Sequence, residues 1–174
     1  MYDEIDRPGP PPRRTGVAGF FARRIGGELN VLLSDHGRHT WQLPGGNAQD
    51  DEFLHEAYVR EVTAKAGLPA ASPEEILVVD HIPRGVTEAE GLDVVFKGSR
   101  IPPNSALGAP HDTEDGSPVT YRWATLHETN TLCRADERDR IHSAHEAWTT
   151  GRTAYLICGE RYSSRPLAPS PWTE

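Results

Sequence analysis

Cysteine is scarce: Cys133 and Cys158 are the only two in 174 residues. They are too far apart for a CxxC pair and no Cys/His array accompanies them, so neither a zinc ribbon nor a disulfide framework is indicated. Free thiols in a cytosolic protein are the reading that remains. Long apolar runs are missing as well, since no stretch approaches the roughly 18 residues of a membrane span. The N-terminus from Met1 to Pro12 is acidic and proline-rich, unlike a secretory leader. Positive charge is in deficit: 18 Lys and Arg against 26 Asp and Glu leave a formal charge of −8. Such a surface argues against nucleic acid or a membrane as partner. An anionic substrate then needs a local counter-charge, either a divalent metal or a cluster of Arg and Lys. Together these absences point to a cytoplasmic protein.

What is present fits one domain, because single domains run to about 100–200 residues. Pro8, Pro10, Pro11 and Pro12 precede Arg13 and Arg14, a composition that favours extended polyproline geometry, so residues 1–14 read as a flexible tail. Residues 163–174, with Pro166, Pro169 and Pro171, read as a second tail, which leaves a domain over 15–162. Runs rich in β-branched and aromatic residues predict strands at about 17–22, 30–34, 76–82, 92–97 and 119–124. Gly26-Gly27 suits a hairpin between the first two. Helices are predicted over 51–66 and 136–149, with Gly151 as the stop for the second. Residues 101–118, carrying His111, Asp112, Glu114 and Asp115, have no period and form a long loop.

The informative stretch is Trp41-Gln42-Leu43-Pro44-Gly45-Gly46 and the helix after it. Neither glycine has a Cβ to obstruct a ligand approaching the backbone. Phe53, Leu54, Ala57, Tyr58, Val62 and Ala66 are apolar on more than one side of the helix, which suggests burial between layers. From Gly46, five residues lead to Glu52, seven more to Arg60-Glu61-Val62, and Gly67-Leu68 close the run. That register resembles the signature of Nudix hydrolases, glycine, x5, glutamate, x7, Arg-Glu-aliphatic-x-Glu-Glu-x-Gly-aliphatic, at seven of its nine specified positions. Leu43-Pro44-Gly45 before it and Arg122-Trp123 downstream support the resemblance, which extends from about Thr15 to Tyr162.

The resemblance implies an α/β fold, a Nudix-like α/β/α sandwich with a mixed β-sheet. It further implies Mg2+ or Mn2+ as cofactor, held by Glu61 and the Gly45 carbonyl. Gly45 and Gly46 face substrate, and Glu52 and Arg60 form a supporting salt bridge. The substrate class is a small-molecule nucleoside diphosphate derivative, cleaved at its pyrophosphate bond. The two mismatches carry most weight. Where the family pattern has a Glu-Glu pair, this chain has Ala64 and Lys65. Residues three and four beyond Glu61 lie one turn along the same helix face, so two of three converging carboxylates are lost and metal binding is weakened. Mg2+ is commonly held by one or two carboxylates plus substrate phosphates, so a single-metal site remains an option. Asp112, Glu114 or Asp115 could add a ligand, and Lys65 could contact phosphate and join Glu61 as a catalytic residue.

Other readings stand beside these. A catalytically degenerate Nudix domain could bind a nucleotide-like ligand or a protein partner, or serve a different reaction. Arg60 could pair with Glu56 at i−4 instead of Glu52. Trp123 is read as core rather than as a base-stacking residue. His142, His145 and Glu146 share a helix face but lack HExxH order and a third partner, so they read as solvated. Arg13, Arg14 and Arg38 could contact phosphate but are left outside the site. A homodimer is left open.

Overall fold

The computed structural model describes residues 13–66, 68, 73, 75–84, 89–102, 107 and 119–162, and of residues 63–66 the backbone only. The segments 1–12 and 163–174, nearly all of the 101–118 loop and the side chains of Ala64 and Lys65 lie outside the described residues.

The elements are β1 (Arg14–Phe20), β2 (Ala22–Ile25), β3 (Glu28–Asp35), β4 (Gly45–Asn47), α1 (Leu54–Ala66), β5 (Ile76–Ile82), β6 (Gly91–Lys97), β7 (Thr120–Thr125), α2 (Thr129–Leu132), α3 (Ala135–Thr150), β8 (Ala154–Ile157) and β9 (Glu160–Arg161). A six-stranded sheet has the order β4-β1-β6-β5-β8-β9, and a three-stranded sheet the order β2-β3-β7. The larger sheet is mixed: β1 runs parallel to β6 and β5 to β8, while β4, β9 and the β5–β6 pair are antiparallel.

Alternation along the strands sends side chains to two cores. Val17, Val94 and Phe96 pack with Ala57, Tyr58 and Val62 of α1, and Phe20 and Val95 with Ile141, Ala144 and Ala147 of α3. The two helices therefore flank the sheet from opposite faces, giving the α/β/α layering. Among the described residues no helix is long and apolar enough to cross a membrane.

Three sequence expectations need correction. The strand expected over 17–22 is two strands. Consecutive buried aromatics, Phe20 and Phe21, belong to opposite cores, and the chain changes sheet between them: Phe20 O accepts from Gly98 N at 2.9 Å and Phe21 O from Leu32 N at 3.0 Å. The Gly26-Gly27 hairpin consequently joins β2 to β3, with φ of 59° and 90° as a two-residue type I′ turn requires. The helix expected from Asp51 starts at Leu54, because Asp51 has φ 58°. It also buries one stripe rather than several sides: His55 and Glu56 are exposed, and Phe53, which precedes the helix, is 68% exposed. The strand 76–82 and the Gly151 stop, with φ 68° at the α3 C-cap, coincide with expectation. β1 begins at Arg14, inside the segment read as a tail.

Candidate functional site

Leu54, Ala57, Tyr58, Glu61 and Val62 follow the i, i+3, i+4, i+7, i+8 spacing of a helix stripe that faces a core. Glu61 thus occupies a core position and is 4% exposed. A buried carboxylate is costly unless it is paired. Here Arg60 Nη1 bonds Glu61 Oε1. The carboxylate rests on the backbone of Gly46, so closely that a Cβ there would lie 2.0 Å from Oε2. Gly45 is equally confined, its notional Cβ 2.1 Å from Val17 O. Two glycines are therefore needed where β4 passes between β1 and α1.

Arg60 is itself fixed. Its Nε and Nη2 each donate to a different oxygen of Glu52 at 2.7 Å, a bidentate pair, and Nη2 also donates to Asn47 O at 2.9 Å. Gln49 N donates to Glu52 Oε2 at 2.8 Å. The Arg60 hydrogen bonds, then the Gln49 amide, hold the Glu52 carboxyl down at about 2. The pairing with Glu56 does not occur, since Glu56 Oε2 accepts from Phe53 N at 3.4 Å.

The register of β4 on β1 decides where the Gly45 carbonyl points. Gly19 N donates to Pro44 O and Ala48 N to Thr15 O, so the hydrogen-bonded positions are 44, 46 and 48. The carbonyls of Gly45 and Asn47 face away from β1 at the sheet edge. Arg60 takes that of Asn47.

Tyr121 and Trp123, alternate residues of β7, both pack against the α1-side core. The Tyr121 hydroxyl is pushed up to about 12, first by burial and then by the negative charge of Glu61. Trp123 packs against the α1-side core, with the Arg23 guanidinium carbon 4.1 Å above its ring. Sequence reasoning missed Tyr121, although its alternation with Trp123 was a usable signal. It also missed Asn47 and set Arg14 aside, yet Arg14 Nη1 donates to Asn47 Oδ1 at 3.0 Å.

The remaining candidates do not join the site. Glu146 pairs with Arg161 at 2.8 Å, and His142 Nε2 lies 3.1 Å from Thr129 Oγ1. Burial pushes the Cys133 thiol up to about 12 and Cys158 above its ordinary range, so neither is a ready thiolate. Among the described residues no group of three or more His, Cys, Asp and Glu is disposed to hold a metal ion. Glu52 is committed to Arg60, which among the described residues of this segment leaves the Glu61 carboxylate and the Gly45 carbonyl as candidate oxygen donors. That set fits one hard cation whose other positions go to water and phosphate, not an all-protein cage.

A mixed sheet between two helices, with a buried helix glutamate pressed on a Gly-Gly strand, defines an α/β protein with an oxygen-donor site at the sheet edge. No sequence-family model matches the chain. A MutT-like protein of Streptomyces ambofaciens is 34% identical over 77 residues, 44% of this chain and 49% of that one. The chain thus aligns with about half the length of that relative. The NUDIX domain of Shewanella oneidensis NrtR, solved with ADP ribose, superposes with a TM-score of 0.60 at 20% identity, covering 84% of this chain and 94% of that one. A UDP-X diphosphatase gives a TM-score of 0.63 at 16% identity, covering 87% and 70%. The fold is the one these Nudix structures share.

Proposed function

We propose that the chain is a Nudix-type hydrolase that cleaves a pyrophosphate bond in a nucleoside diphosphate linked to another moiety, using a metal site of reduced capacity. The observation that carries this reading is the seating of Glu61: a carboxylate buried in a core stripe, laid on Gly46 and oriented by an arginine that Glu52 immobilises. A glutamate with only a packing role would gain nothing from that position, where a leucine would serve better. The neighbours solved with ADP ribose and named for UDP-X support the substrate class.

In this reading Glu61 and the Gly45 carbonyl hold one Mg2+ or Mn2+. When bound, such an ion neutralises phosphate charge and lowers the pKa of a coordinated water. Arg60 orients Glu61, the glycines let the diphosphate approach the backbone, and Tyr121 closes one side. Lys65 is assigned a phosphate contact from its spacing to Glu61 alone. The test is release of the cleaved products from ADP-ribose, sugar nucleotides and dinucleoside polyphosphates with Mn2+ or Mg2+. Turnover by the native chain, lost in Glu61→Gln, is expected; no turnover of any substrate sinks the reading.

Ala64 and Lys65 at the family's two glutamate positions favour a second reading, a Nudix domain that binds such a ligand without cleaving it. Restoring both residues, Ala64→Glu with Lys65→Glu, separates the two. Activity only in the double variant supports the binding domain, and loss of native activity supports a positive role for Lys65.

A further inference from the structure

The segment that carries Gly45 and Gly46 is anchored at both ends. At its start, Leu43 N donates to Oε1 of the buried Glu137, a residue 94 positions away on α3, at 2.8 Å. At its end, Arg14 Nη1 holds the Asn47 side chain and Arg60 Nη2 its carbonyl. The anchors are connected. Arg14 Nη2 lies 2.7 Å from Asp93 Oδ1, Asp93 Oδ2 lies 3.3 Å from Arg140 Nη2, and Arg140 Nη1 bonds Glu137 Oε2. A continuous path, Leu43 to Glu137, Arg140, Asp93, Arg14 and Asn47, thus links the two ends of the segment that carries the glycines.

Asp80 braces the centre of this path. Its Oδ2 accepts from Arg140 Nε at 2.9 Å, and Gly159 N donates to its Oδ1 at 3.1 Å. Three carboxylates around one guanidinium in a core is a poor device for stability, because apolar residues of similar volume often do as well or better. What apolar residues lack is the ability to fix two backbone points by directed bonds. The outward Gly45 carbonyl lies between those points.

We propose that Arg14 and Glu137 are positioning residues for the Gly45-Gly46 segment, coupled to each other through Asp93 and Arg140. The inference rests on the hydrolase reading for what the segment does, but not for the coupling. Loosening one anchor then loosens the other, and the Gly45 carbonyl loses its alignment with Glu61.

The test uses the full chain with Arg14→Ala, whose side chain is 29% exposed. Amide hydrogen exchange reads the Leu43 amide, which Arg14 does not touch in the structure. Exchange at Leu43 is expected to quicken by at least about 10-fold in Arg14→Ala, with the thermal midpoint nearly unchanged. Retention of Mn2+ in the presence of ADP-ribose, read by electron paramagnetic resonance, is expected to weaken about 10–100-fold, as for other residues that orient metal ligands. Glu137→Gln, which keeps an acceptor for Leu43 but removes the charge facing Arg140, is expected to shift both readouts less than Glu137→Ala. Unchanged exchange at Leu43 in Arg14→Ala overturns the coupling. Faster exchange with unchanged Mn2+ retention overturns the positioning role. Failure of the unaltered chain to retain Mn2+ strikes the hydrolase reading instead, and the exchange result alone then decides the coupling.

Discussion

Arg60 and Arg140 each gather oxygens from distant parts of the chain, in opposite surroundings. The Arg60 side chain is 32% exposed and that of Arg140 is 10% exposed. Beside Arg60, hydrogen bonding wins and the Glu52 carboxyl falls to about 2. Around Arg140, burial wins: the carboxyls of Asp80 and Glu137 are pushed above their usual range although the guanidinium pulls them down. The same ion chemistry therefore gives an outer pair whose carboxyl is lowered and an inner cluster whose carboxyls are raised. The first suits a residue that must hold Glu61 in one place. The second suits a rigid frame behind it.

Removing each arginine is the most forceful way to break this contrast. Arg140→Met strands two buried carboxylates and is expected to destabilise the fold by about 3–5 kcal/mol in urea unfolding. Gly46→Ala attacks the candidate site directly, because the new methyl would lie only 2.0 Å from Glu61 Oε2. It is expected to lower kcat/KM for the best substrate by about 100-fold, or about 2.7 kcal/mol of transition-state stabilisation, while the fold survives. Arg60→Met removes bonds between charged groups nearer solvent and is expected to cost about 1.5–3 kcal/mol, with a larger effect on activity than on stability.

Acidity sharpens the comparison further. Glu52 has a folded-state pKa below its ordinary value of 4.5, so its contribution is complete above that value and is lost as pH falls through about 2. Asp80 and Glu137, with raised values, contribute in the opposite sense: their share is complete below the ordinary carboxylate range and declines as pH rises through their folded-state values. Unfolding midpoints measured from pH 2 to 6 are expected to show a smaller acid loss in Glu52→Gln than in the native chain. An identical acid limb in that variant contradicts the assignment of the shift to the Arg60 pair.

The placement of Arg60 and Glu61 in the candidate site was legible because their spacing is helical. Glu61 falls in the stripe of Leu54, Ala57, Tyr58 and Val62, and a charged residue at such a position signals a function or a partner. The Glu52 and Arg60 positions follow from the same register. β4 was not readable, since Gly45-Gly46-Asn47 has no strand propensity and forms a strand only because β1 pairs with it. The division of the first strand at Phe21 escaped notice because two adjacent aromatics read as one apolar run. The frame around Arg140 needed contacts between residues 80, 93, 137 and 140, which no local pattern reports. One signal was present all the same: Glu137 and Arg140 share a helix stripe with Ile141 and Ala144, both of which are buried.

The central claim is that Glu61, seated on Gly46, supports metal-dependent cleavage despite Ala64 and Lys65. Its most direct test is product release from ADP-ribose with Mn2+, comparing the native chain with Glu61→Gln at matched stability. Turnover by the native chain, dependence on added Mn2+, and a loss of about 100-fold or more in the variant are expected. Equal rates in the two proteins would contradict it.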